Sequence, residues 1–256
     1  MSNEHKKYIQ KVKKKKLLIK ITQLLILIIF IFLWELLSSK NVINSFITSS
    51  PSNIIKTIIK LYNENNLWIH IYITIKEVLL AFVITTTLAI IISIILYSFP
   101  FIAKTLDPYL TIFNSLPKVA LGPIIIIWLG ANTKSIITMA ILISLIVSIQ
   151  NIYNGFLNTD KSKIKLLKTF NATKLQILTK LIIPANKSTI LNSLKINISM
   201  CLIGVISGEF LTSKAGIGYL IMYGTQVFNL NLVMAGIFLL TIISYIMYLL
   251  LTKIKI

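Results

Sequence analysis

Six separated stretches of this chain are apolar over the length that crosses a bilayer, and nothing else in the sequence restricts its fold so severely. They run over about 17–37, 71–97, 109–129, 135–156, 189–211 and 232–252. About 20 consecutive apolar residues span the hydrocarbon of a membrane. Inside that hydrocarbon no water satisfies a backbone N–H or C=O, so runs of this length are read as helices. The expectation is an all-α polytopic membrane protein with six transmembrane helices. Composition excludes the other way to use 256 residues, a pair of small soluble domains. Hydrophobic residues make up 56% and charged residues only 13%, where a soluble domain carries about a quarter charged residues.

The formal net charge is +19, and all 26 basic residues are lysine. The chain is also heavy in Ile, Lys and Asn, which is read as base composition. Such a charge can mark a nucleic-acid partner. Here the lysines flank the apolar runs, so membrane topology accounts for them and no nucleic acid is expected. Eight lysines precede residue 21. That charge order resembles a signal peptide, but the apolar run continues to Leu37 with no small-residue cleavage site close behind. It is read as an uncleaved first span.

With six spans both termini share one side. Seventeen lysines fall on that side, in the N-terminal tail, the link between spans two and three, the long link after span four and the C-terminus, against five on the other. The positive-inside rule then puts both termini in the cytoplasm of a multi-pass plasma-membrane protein.

Along the chain, Glu35 near the end of span one is either interfacial or a packing partner. Ser49, Ser50, Pro51 and Ser52 read as a turn and N-cap, followed by a short surface helix over 54–62. Lys76 and Glu77 fall near the start of span two, within reach of headgroups, and snorkel or pair there. Pro100 ends that span. Asp107 and Pro108 open the third, where Pro117, Gly122 and Pro123 predict a kinked or discontinuous helix. In span five Gly204 and Gly208 form G-x-x-x-G, which permits close helix approach. Residues 213–229 read as a polar loop.

The link over 152–183 is the long interruption in the second half. It carries Lys161, Lys163, Lys165, Lys168, Lys174 and Lys180. Ile164, Leu167, Leu175, Leu178 and Ile182 recur at helical intervals and predict one apolar stripe. An amphipathic link between spans docks on something, either lipid headgroups or another protein.

Enzymatic chemistry is missing from the pattern. No G-x-x-x-x-G-K-[ST], H-E-x-x-H or G-x-S-x-G occurs. The single Cys201 and two histidines form no metal-ligand spacing. His70 reads as a capping or interfacial residue. No catalytic residue, metal or cofactor is expected, which leaves transport, a channel or a scaffold. Ionisable residues inside membrane spans mark pathways, so Lys118, Lys195 and Glu209 are the candidates for a translocation route. Lys118 and Lys195 either attract an anionic substrate or snorkel, and Trp128 reads as an interfacial anchor.

Several separated pieces together resemble a known family. They are Trp34-Glu35, Ser50-Pro51-Ser52, Asp107-Pro108, the run from Leu116 to Pro123, the run from Ile127 to Gly130, Asn151 with Gly155, Gly208-Glu209-Phe210, and the run from Gly216 to Leu220. In order and spacing the chain resembles the permease subunits of binding-protein-dependent ABC importers, in the nitrate/sulfonate/taurine-type branch. The family's loop signature is Glu-Ala-Ala, then Gly, then Ile-x-Leu-Pro. Laid on this chain it puts Lys165 at the acid, Asn171 at the Gly, Ala172 after it and Pro184 at the Pro.

The resemblance implies a type I importer permease fold (MetI-like). It divides the chain into a basic cytoplasmic tail over 1–16, a transmembrane permease domain over 17–252 and a cytoplasmic C-terminus over 253–256. A coupling loop over 157–187 would meet cytoplasmic ATP-binding subunits through Asp160, Lys165, Lys168, Thr169, Phe170, Asn171, Ala172 and Pro184. It also implies a second permease chain as a homodimer within membrane lipid, and an extracellular binding protein that delivers a small solute. That solute would be a sulfonate, nitrate or similar anion, or a thiamine-precursor-like heterocycle. Read from the residues alone, an ion-coupled secondary transporter working without an ATPase is the alternative.

Overall fold

A computed structural model of the protein describes residues 3–64 and 66–253. Among them the structure is helical throughout, with no strand. The first two residues of the basic tail, and the C-terminus beyond Lys253 with its Lys255, lie outside the described residues.

Helix α1 (Asn3–Ser39) leads through a short α2 (Ser45–Thr48) to α3 (Pro51–Asn63). Ser50 caps α3 by accepting from the Asn53 N–H, with Pro51 in its first turn, as the Ser-Pro pair predicts. Glu35 belongs to this turn. Its carboxylate accepts from the Ser52 N–H (3.0 Å) and hydroxyl (2.8 Å), so it ties α1 to α3 as a packing partner. No residue of the apolar window of α1 is buried within the chain.

Helix α4 (Leu67–Ser98) is the second long apolar helix. The next run differs from the reading above. It opens at Pro100, not beyond Pro108, because Pro108 sits inside α5 (Pro100–Ser115) without ending it. The break falls at Leu116-Pro117. The residue before a proline is driven out of the α region, and Leu116 is extended (φ −66°, ψ 139°). A 3₁₀ turn (Lys118–Leu121) then leads into α6 (Gly122–Leu129), and the two arms meet at 86°. The predicted discontinuity is present, and it is a sharp bend.

Helix α7 (Thr133–Leu157) is followed by three short helices, α8 (Lys161–Thr169), α9 (Lys174–Ile177) and α10 (Ile183–Ala185), with a π turn (Leu178–Ile182) before the last. Then come α11 (Lys187–Thr212), α12 (Ile217–Gln226) and α13 (Leu230–Lys253). Residues 213–229, read as a polar loop, thus contain a ten-residue helix. Five helices are long and apolar enough to cross a membrane, and the bent α5–α6 pair makes a sixth span if taken as one.

The centre of the bundle is α11 against α7, with α4 alongside. Small residues make that contact. A Cβ placed on Gly204 would meet the Ala140 backbone, and one on Gly208 would lie 3.0 Å from the Ile136 Cα. The G-x-x-x-G pair is therefore spent inside the chain, bringing two helix backbones together. Polar side chains join the same three helices. Thr85 and Ser144 hydroxyls lie 3.1 Å apart, Cys201 Sγ is 3.3 Å from Ser144 Oγ, and Asn197 donates to Thr86 (2.8 Å). In hydrocarbon such polar groups are costly unless they are paired.

Two buried apolar clusters follow. One joins α4, α7, α11, α12 and α13 around Val78, Ala140, Val205, Ile217 and Ile243. The other gathers Leu96, Ala103, Ile152 and Phe156 with Ile177, Leu178 and Ile182. The second cluster fastens the lysine-rich link to the ends of α4, α5 and α7.

Candidate functional site

The link between α7 and α11 is built from local rules. Asp160 N-caps α8, accepting from the Ser162 N–H (2.8 Å). Two bonds end α8: Asn171 N–H to Lys168 O (3.0 Å) and Ala172 N–H to Leu167 O (3.1 Å). This is a Schellman closure, which needs a left-handed residue at the position after the cap. Asn171 supplies it with φ 55°. Asn is the residue after Gly that tolerates that region. Thr173 and Gln176 then form a reciprocal capping box that restarts the chain as α9, and Pro184 stands in the first turn of α10.

The Schellman closure corrects the single-stripe expectation. The left-handed residue resets the helical phase, so Leu175 points away and is 69% exposed, while Ile177 takes the buried place. Ile164 and Leu167 are half-buried, and Leu178 and Ile182 are buried. Each fully buried aliphatic side chain contributes roughly 1.5–3 kcal/mol, so the second arm alone holds the link firmly against the spans. A groove of about 580 Å³ separates α8 from the corner at Tyr97, Phe99 and Pro100.

The base of the link is closed by a clamp that the sequence did not suggest. Asn186, buried, donates to Thr159 Oγ1 (2.7 Å) and to Ile182 O (2.9 Å). Gly155 makes room for it. A Cβ there would lie 3.2 Å from Asn186 Oδ1 and 2.6 Å from Thr189 Cγ2.

Outward, the link presents lysines around an apolar tip. Phe170 is 74% exposed and Leu166 56%. Lys165, Lys168, Thr169 and Asn171 are exposed beside them, and Ala172 is half-buried. Of the residues expected here, Lys165, Lys168, Thr169, Phe170, Asn171 and Ala172 thus lie together around the end of α8, while Asp160 stands at its start and Pro184 at the far end of the link.

The three residues expected along a pathway do not come together. Lys118 sits at the α5–α6 break, half-buried, with Nζ 3.3 Å from Asn114 O and 3.4 Å from Asn114 Oδ1. Lys195 is half-buried on α11. Glu209 lies fourteen residues further along that helix, about 21 Å at 1.5 Å per residue. It is 1% exposed and engaged within the chain. Its Oε1 accepts from Thr74 Oγ1 (2.7 Å) and its Oε2 from the Gly218 N–H. The Ile217 N–H donates to Thr74 Oγ1 (2.8 Å) and the Gly216 N–H to His70 Nδ1 (2.9 Å).

Three successive amides at the start of α12 are therefore capped by α4 and α11. His70 is a cap, one of its two expected roles. Glu77, expected near headgroups, is 2% exposed and turned to the same interior. The available signal was the spacing of His70, Thr74 and Glu77, which puts all three on one face of α4.

A helical bundle with a broken span, membrane-length apolar helices and a structured basic link defines a multi-pass membrane transport protein. Residues 85–254 match the family described as the binding-protein-dependent transport system inner membrane component. The chain belongs to that family, the inner-membrane permeases of ABC importers.

A probable ABC transporter permease protein of Haemophilus influenzae is 28% identical over 225 residues, covering 88% of this chain and 91% of the relative. The formylaminopyrimidine transport permease protein ThiX of Halalkalibacterium halodurans is 25% identical, covering 86% and 87%. The taurine transport system permease protein TauC of Escherichia coli is 20% identical, covering 86% and 82%. Among solved structures, an inward-facing MetNI methionine ABC transporter matches with a TM-score of 0.65 over 73% of this chain and 95% of that one, at 15% identity. That likeness establishes the MetI-like fold.

Proposed function

We propose that this permease works as a homodimer in an ATP-driven importer. Two cytoplasmic ATP-binding subunits grip the 157–187 link, and an extracellular binding protein delivers the solute. Both termini and the link face the cytoplasm, as the lysine distribution favours. On this reading 1–16 is a basic cytoplasmic tail, 17–252 the permease domain and 253–256 a cytoplasmic end. Family membership favours the motor-driven reading over an ion-coupled carrier.

The observation that carries the proposal is the stiffness of the link. A lever between a motor and the spans must not bend where it is pushed. This one is capped at Asp160, closed at Asn171, clamped by Asn186 to Thr159 and packed through Ile177, Leu178 and Ile182. Closure of the ATP-bound subunits around the knuckle at Lys165, Lys168, Thr169, Phe170, Asn171 and Ala172 would then move α4, α5 and α7 as a body. Pro184 marks the inner end of the lever.

The solute is a small sulfonate or related anion, or a heteroaromatic ring, in keeping with the relatives named for taurine and formylaminopyrimidine. Lys118 and Lys195 are the groups on this chain that would draw an anion, while Glu209 serves the path by holding α12.

The test is the double substitution Phe170→Asp with Asn171→Asp in the complete complex. Membrane insertion should stay normal, while ATP hydrolysis loses its dependence on solute and uptake falls. Uptake at the full rate would refute the lever.

A further inference from the structure

The groove between α8 and the corner at Tyr97, Phe99 and Pro100 has no part in the lever. It encloses about 580 Å³. Its place along the chain sets its depth. Helix α4 is long and apolar enough to cross a membrane and ends at Ser98, so the corner that follows lies where hydrocarbon gives way to headgroups. Tyrosine settles at that boundary, and Tyr97 is half-buried there. Phe99 beside it is 56% exposed.

The lining is mostly apolar, but it holds two lysines and no acid. Lys168 comes from the last turn of α8 and Lys174 from the first turn of α9. Neither makes a salt bridge within 4.0 Å among the described residues. The one acid of the link, Asp160, is spent on capping α8. Two like charges thus share one groove without a counter-charge, and an anion placed between them relieves the repulsion. Leu175 stands next to Lys174 and is 69% exposed. Leucine bare beside lysines is the pattern of a helix lying in the membrane interface, with its apolar side in lipid and its ammonium groups at the phosphates. A soluble anion would meet the lysines and leave Leu175 and Phe99 in water. A phospholipid meets both.

We propose that the groove binds one anionic phospholipid, its phosphate between Lys168 and Lys174 and the start of an acyl chain along Leu175, Phe99 and Ile164. The lipid braces the first arm of the link. Helix α8 has no buried residue of its own, whereas the second arm is already held by Ile177, Leu178 and Ile182. The site also leaves the outward tip clear. Ile164 and Lys168 are one turn apart on α8, and Leu166 lies about 200° round the helix from Ile164. Binding of the lipid does not depend on which side of the membrane the link faces.

The experiment titrates the purified full chain in detergent with single phospholipids and counts bound lipids by native mass spectrometry. The first phosphatidylglycerol should bind at least about tenfold tighter than phosphatidylcholine with the same acyl chains. A lysine beside an anionic headgroup contributes about fivefold. Lys174→Gln alone should therefore weaken the first phosphatidylglycerol by about fivefold, and Lys168→Gln with Lys174→Gln by about 25-fold. Lys161→Gln with Lys163→Gln, an equal loss of charge away from the groove, should leave that step within about twofold of the wild type. The preference between the two lipids is read on the wild type alone, so it decides the matter even if a variant folds poorly. Equal affinity for the two lipids, or equal losses in the two double variants, would overturn the site. Displacement of the lipid by millimolar inorganic phosphate would make it a site for free anions, and displacement by the ATP-binding subunits would give the groove to the motor. Either result refutes the proposal.

Discussion

Asn186→Ala tests the lever at its base. The substitution removes the donations to Thr159 Oγ1 (2.7 Å) and Ile182 O (2.9 Å) and strands a buried Thr159 hydroxyl. Each neutral bond contributes about 1 kcal/mol net, so the clamp weakens by about 2 kcal/mol. That multiplies the unclamped population by about 30. The link does not detach, because burial of Ile177, Leu178 and Ile182 at roughly 1.5–3 kcal/mol each outweighs the loss.

The assay is limited trypsin digestion of the protein in nanodiscs, since six lysines lie between Lys161 and Lys180. When reclosing is fast, cutting follows the open population. The initial rate of cleavage in the link should therefore rise by about 30-fold with the spans intact. A rate within twofold of the wild type would show that the apolar cluster alone holds the base and that the Asn186 bonds carry no load.

Two further substitutions separate packing from backbone geometry. Gly204→Leu forces a side chain into the Ala140 backbone and should destabilise the bundle by about 1–3 kcal/mol or more, read as a lower denaturation midpoint in detergent; an unchanged midpoint would mean α7 and α11 are not in the close contact described. Asn171→Val puts a β-branched residue at φ 55° and should cost about 1–2 kcal/mol locally, read as faster exchange at the amides of residue 171 and Ala172, which close the helix end, whereas Asn171→Gly should leave the Ala172 exchange at the wild-type rate.

The loop signature illustrates how a sequence can be right in position and silent on reason. Asn171 and Pro184 fall at the family's spacing although most identities differ. The structure supplies the reason: a left-handed residue is what a Schellman closure demands, and Asn meets that demand nearly as well as Gly. The same closure defeats helical periodicity. Counting by 3.6 through residue 171 puts Leu175 inside, and it lies outside, because a phase set before a left-handed residue does not survive it. Pro108 misled in the opposite sense. A proline suggests a helix end, but α5 carries it along one face and breaks only where Leu116 is forced to be extended before Pro117.

The sequence by itself determined the class of the protein. Long apolar runs without water to satisfy their backbone fold as helices, and that follows from one-dimensional pattern. The tertiary structure decided which polar groups meet. Thr159 and Asn186 are 27 residues apart, and Thr74 and Glu209 are 135 apart. Their encounters depend on how α4, α7 and α11 cross, and no local rule encodes that crossing.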